Sequence, residues 1–121
     1  MQSTVSQQPT VIIAPIALQQ ALLVLLRSQG LLEPILCVAT VQNLPVTIAP
    51  HILIYTMHKK TDAADVQTMK QRWPAAGLLV LVAEPEQHAL AQAAGADVSL
   101  PQGVSPHQLR EAIASLNERA T

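Results

Sequence analysis

Residues 94–109, AGADVSLPQGVSPHQL, constrain the fold more than any other stretch, because three local signals there agree on an order of elements. The spacing of Ala89, Leu90 and Ala93 supports a helix, and Gly95 suits the left-handed residue that closes one. A short strand is expected over 98–100, and a turn at 101–103 leads into a further helix. Ser105 and Gln108 read as a capping box, the hydroxyl accepting from the first turn while the amide reaches back. Pro106 takes the first helical position, where its missing N–H costs nothing. With the apolar run 77–83 just upstream, the order becomes strand-helix-strand-helix, the repeat of a parallel α/β sheet.

The rest of the chain continues that alternation. Residues 10–14 are a short β-branched strand ended by Pro15, and 16–29 repeat apolar residues at Leu18, Ala21, Leu22, Leu25 and Leu26 as a helix that stops at Gly30. The continuous apolar run 34–39 reads as a strand covered on both faces. Residues 40–50 have room for only a short helix, capped by Asn43 and bracketed by Pro45 and Pro50. A third strand is expected over 51–57, a helix over 63–73 stopped by Pro74, a fourth strand over 78–83, and helices over 85–94 and 106–117. Five strands alternating with five helices, the second of them shortened, describe a flavodoxin-like, doubly wound parallel sheet of order 2-1-3-4-5. One domain is expected over 10–117, with 1–9 a disordered N-terminal segment and 118–121 a tail.

Composition excludes several kinds of function. Trp73 and Tyr55 are the only aromatics, which leaves few platforms on which a nucleobase or flat cofactor can stack. Net charge is −1 and the one basic concentration, Lys59, Lys60, Lys70 and Arg72, reads as a solvated face, so no nucleic acid is expected to bind. The lone Cys37, in an apolar strand, reads as a buried thiol in a reducing compartment. No apolar run approaches the ~18 residues that span a bilayer and the N-terminus lacks signal-peptide features, so a cytoplasmic protein with no membrane partner is expected. His51, His58, His88 and His107 lack metal-ligand spacing, and the first strand runs into APIALQQ rather than a glycine-rich phosphate loop. Asp62 and Asp65 read as serving a helix dipole rather than a metal. No cofactor and no Mg²⁺ are expected.

Two segments carry a resemblance. MKQRWPAAGLLVLVA and QAAGADVSLPQGVSPHQLREAI resemble a response-regulator receiver domain of the NarL/FixJ type, and the likeness spans residues 11–116. The resemblance implies paired acids after the first strand, a phosphoacceptor Asp ending the third, Ser or Thr ending the fourth and Lys after the fifth. The matching positions hold Ala14 and Pro15, then Thr56, Val82 and Gln102, and all five depart. The first acid of the chain is Glu33, and none lies between it and Asp62. Phosphoryl transfer to a carboxylate needs a divalent ion held by oxygen ligands, and neutral Gln102 offers a phosphate no cationic partner.

The expectation is a degenerate, non-enzymatic pseudo-receiver that works independently of phosphorylation, through protein contacts, in bacterial two-component signalling or transcription regulation. The partner expected first is a second copy of the chain. The candidate dimer face is Leu22, Leu23, Val24 and Leu26 of the first helix with Leu109, Ile113 and Leu116 of the last. The alternative is a domain that senses a small molecule in the emptied phosphate pocket. A third reading, a hydrolase using Thr56 and His58, rests on their closeness in sequence alone.

Overall fold

The computed structural model describes residues 9–28, 35–44 and 47–120. Residues 1–8, Gly30 and Pro45 lie outside that set, and with them the expected N-terminal segment and first-helix stop. In chain order the elements are β1 (Thr10–Ile13), α1 (Ile16–Ser28), β2 (Ile35–Val38), β3 (Ile52–Met57), α2 (Ala63–Arg72), β4 (Gly77–Val82), α3 (Gln87–Ala94), β5 (Val98–Pro101) and α4 (Pro106–Ala120), with 3₁₀ turns at Val41–Asn43 and Lys60–Asp62. The five strands are parallel in the order β2-β1-β3-β4-β5, the flavodoxin-like arrangement expected.

Alternation along the strands divides the core in two. Val11, Ile13, Leu53, Tyr55, Met57, Leu78, Val80 and Val82 meet Val66, Met69 and Ala91 from α2 and α3 on one face. Ile12, Ile52, Ile54, Leu79 and Leu81 meet Leu26 of α1 and Leu109, Ile113 and Leu116 of α4 on the other. Both faces are covered, which is why β3 and β4 are apolar in nearly every position.

The 94–109 stretch is built as its sequence dictates. Gly95 has φ 119°, and the Gly95 and Ala96 amides donate to the Gln92 and Ala91 carbonyls at 3.1 and 3.0 Å, a Schellman close to α3. A Cβ at Gly95 would lie 2.9 Å from Cγ of Lys70, so the site excludes a side chain for space as well as for backbone angle. Asp97 then locks β5 onto β4: its amide donates to the Leu78 carbonyl, its Oδ2 accepts from the Leu78 amide at 2.9 Å, and Lys70 Nζ lies 3.0 Å from that oxygen. Ser105 Oγ accepts from the Gln108 amide at 3.2 Å while Gln108 Oε1 accepts from the Ser105 amide at 3.3 Å, the reciprocal capping box.

Two expectations are corrected. The second of five helices is a single 3₁₀ turn, leaving four α-helices; such a turn brings i and i+3 onto one side, which lets Val41 and Leu44 both enter the core. Asn43 closes this turn and accepts from the Thr40 hydroxyl instead of capping a helix start. The expected tail is helical through Ala120, because SLNERA contains no Gly or Pro to stop α4. No helix among the described residues is long and apolar enough to cross a membrane.

Candidate functional site

In a sheet of this order the chain turns to opposite sides after β1 and β3, and the loops part there, leaving a crevice at the carboxyl ends of the strands. A cleft of about 200 Å³ occupies that place, lined by the ends of β1 and β3, by Ala39, Thr40 and Gln42 after β2, and by Asp62 and Asp65 at the start of α2.

Four of the five positions picked out in the sequence sit at the strand ends, and none contributes a charge. Ala14 is buried, and its carbonyl accepts from Gln19 Nε2 at 2.7 Å. Pro15 is exposed and begins α1, its carbonyl taking the Leu18 and Gln19 amides at 2.9 Å. Thr56 is 4% exposed, and its hydroxyl makes one long contact, 3.5 Å, to the Ile13 carbonyl rather than to His58. Val82 is fully enclosed at the end of β4. Gln102 hydrogen-bonds across it, with its amide on the Val82 carbonyl at 3.0 Å and Nε2 on the Met57 carbonyl at 3.3 Å.

Sequence reasoning missed a second amide. Gln87, at the start of α3, is 4% exposed. Its Oε1 accepts from the Ala83 and Glu84 amides at 2.9 and 3.2 Å, and its Nε2 donates to the His58 carbonyl at 3.1 Å. The loop after β4 is thereby tied to the loop after β3. A Gln at a helix start, five residues after a strand end, is the only trace of this in the sequence.

The acids enter from α2, a second feature the strand ends did not reveal. Asp62 makes no side-chain cap on α2; its Oδ2 turns back to the His58 and Lys59 amides at 2.9 and 3.0 Å. Asp65 Oδ2 accepts from the Tyr55 hydroxyl at 3.0 Å. Among the described residues no three His, Cys, Asp or Glu side chains converge as ligands for a metal ion.

Burial, then the charges of Asp62 and Asp65 and the bond to Asp65, push the Tyr55 phenol well above its ordinary range. The charged form is the disfavoured one in the folded state. This group therefore costs no stability below pH about 10, and stability falls by up to about 1.4 kcal/mol per pH unit above that. Tyr55 is the only tyrosine, so tyrosinate absorbance reports it alone. The folded protein is expected to show none through about pH 11, and Asp65→Asn to bring ionisation to lower pH.

The candidate dimer face divides. Leu26, Leu109, Ile113 and Leu116 are inside the core, where α1 and α4 meet the sheet, and cannot form an outer surface. Leu22 and Leu23 are half-buried, and Val24 is 66% exposed. With Ile16, 72% exposed, and the exposed Ala17 and Ala21, Val24 forms an outward, mostly apolar stripe on α1, interrupted by the exposed Gln20, that carries no charge before Arg27.

Solved structures resemble this arrangement along nearly the whole chain. A CheY-like response regulator receiver domain protein from Methanospirillum hungatei aligns with a TM-score of 0.78 at 17% identity, covering 94% of this chain and 97% of that one. A LuxR family DNA-binding response regulator from Silicibacter pomeroyi aligns with a TM-score of 0.77 at 19% identity, covering 92% of each chain. A putative pilus assembly-related protein from Burkholderia pseudomallei aligns with a TM-score of 0.77 at 16% identity, covering 95% of this chain and 92% of that one. The fold is that of a response-regulator receiver. No family model matches the sequence, and no curated protein matches it.

Proposed function

We propose that this chain is a pseudo-receiver: a non-enzymatic bacterial signalling module of the two-component or transcription-control kind, cytoplasmic, acting through protein contacts and independently of phosphorylation. The observation that carries the reading is the neutral set at the strand ends, Ala14, Thr56, Val82 and Gln102, held by hydrogen bonds between uncharged groups where a phosphorylatable receiver needs charge. A threonine hydroxyl does not form the acyl phosphate that a carboxylate forms. Asp62 and Asp65, the acids that reach the cleft, already accept from protein donors. Gln87 and Gln102 cross-link the loops after β3, β4 and β5, which favours one constant surface over a switch. Incubated with acetyl phosphate and Mg²⁺, the protein is expected to keep its mass; a stable phosphoryl adduct would sink the reading.

The partner supported first is a second copy, through the α1 stripe of Ile16, Ala17, Ala21 and Val24. Val24→Glu places a charge in that stripe without entering the core, so fold stability should stay within about 0.5 kcal/mol. Light scattering is expected to show a smaller particle for the variant than for the parent. An unchanged size rules out this face.

A further inference from the structure

We propose that Ser99 is a nucleophile that takes an acyl group from a neutral activated ester, with His88 as its base and Gln92 as the donor to the developing oxyanion. This goes beyond the contact-based reading and leaves it standing, since a single acyl group left on the chain is a modification and not a turnover. The three side chains lie outside the strand-end cleft, where α3 packs on β5.

His88 and Gln92 are four positions apart on α3, so both stand on one side of the helix, over a single point of the strand. That point is Ser99, which alternation turns toward α3 while Val98 and Leu100 join the opposite cluster. His88 Nδ1 lies 2.9 Å from Ser99 Oγ, and Gln92 Nε2 donates to the same oxygen at 3.3 Å. With one lone pair of Oγ taken by Gln92, the hydroxyl hydrogen goes to the lone pair of Nδ1, the arrangement of a nucleophile held by its base. Gln92 is exposed, and its Nε2 carries a second N–H for a carbonyl oxygen brought up to Ser99.

Access agrees with this chemistry. β5 ends the sheet, and Ser99 and His88 are only half-buried, so a small donor reaches Oγ from outside the edge. The charges nearest His88 in the chain, Glu84 and Glu86, are negative, which favours a neutral ester over an anionic acyl donor. In the step itself Oγ attacks the carbonyl carbon, its proton passes to Nδ1, and the tetrahedral oxyanion takes the Gln92 N–H. The new Oγ–C bond stays while the bond from that carbon to the leaving oxygen breaks. The leaving oxygen departs with the electron pair, and the proton on His88 passes to it or to solvent, which returns the imidazole to its neutral form.

The test incubates the full chain with p-nitrophenyl acetate, without Mg²⁺ or phosphodonor, and follows p-nitrophenolate by absorbance and the acetyl position by peptide mass mapping. Acetyl is expected on the peptide that holds Ser99, at Ser99 itself, and Ser99→Ala should remove it. His88→Ala is expected to slow that acetylation about tenfold or more. Gln92→Glu exchanges an N–H donor for an acceptor of the same size at an exposed position, and should slow it about tenfold while thermal melting stays unchanged. Acetylation of Ser99 no faster than in the urea-unfolded chain, acetyl confined to lysines or histidines, or an undiminished rate in both His88→Ala and Gln92→Glu would overturn the proposal. None of those results bears on phosphorylation independence, because the reaction contains no phosphoryl group.

Discussion

Gln87→Ala is expected to lower stability by about 2–3 kcal/mol, although the residue lies at a helix start outside both apolar clusters. Its side chain makes three hydrogen bonds at a position 4% exposed, two to the amides of Ala83 and Glu84 and one to the His58 carbonyl. Each net bond contributes about 1 kcal/mol, and alanine replaces none of them. For a domain of this size the melting temperature should fall by roughly 6–15 °C. Hydrogen exchange should rise in both joined loops, at 58–62 and 83–86, since the clamp spans them. A loss below about 0.5 kcal/mol, or faster exchange in one loop only, would mean that the loops hold their positions without it.

Thr56→Asp places a carboxyl at the end of β3, and it is expected to cost about 3 kcal/mol or more at pH 7. The position is almost fully buried, no Lys or Arg lines the cleft, and the two nearby carboxylates repel a third. The introduced carboxyl is therefore held above its ordinary value of about 3.9 in the folded state. The deficit should be smallest below pH about 4 and grow with pH until the folded-state carboxyl has ionised. Adding Gln102→Lys should recover about 1 kcal/mol or more, because the Gln102 amide nitrogen already reaches the carbonyl of the neighbouring Met57. Chemical denaturation of the single and double variants at pH 4 and pH 7 measures all of this. A single variant as stable as the parent at pH 7 would show that the strand ends still tolerate the charge of an active site.

The fold was legible because its signals are local. Apolar runs at 52–57 and 77–82, a glycine where α3 must end and a reciprocal cap at Ser105 and Gln108 each act over a few residues and fix the alternation of strands and helices; the order 2-1-3-4-5 followed from the fold class that alternation implies. The strand-end positions Thr56 and Val82 were singled out through the family resemblance, which needs only the strands to be placed. What was missed depends on how loops meet. Asp62 reads as a helix-dipole residue until the turn after β3 brings the His58 and Lys59 amides to it, and nothing near Gln87 announces that His58 is its partner. The α1 sequence is apolar at every position from Leu22 to Leu26, so periodicity did not say which side met the sheet. Contact with the sheet chose Leu26 and left Val24 outside.

The most direct measurement is an amide NMR spectrum of the domain with Mg²⁺ alone and then with Mg²⁺ and beryllofluoride, paired with light scattering on the same samples. No beryllofluoride-specific shift at Thr56, Gln102 or the Gln87 loops and a constant particle size are predicted for a module that works independently of phosphorylation. A Mg²⁺-dependent beryllofluoride shift centred on Thr56 and Gln102, with a change in size, would contradict it and mean that the domain still switches.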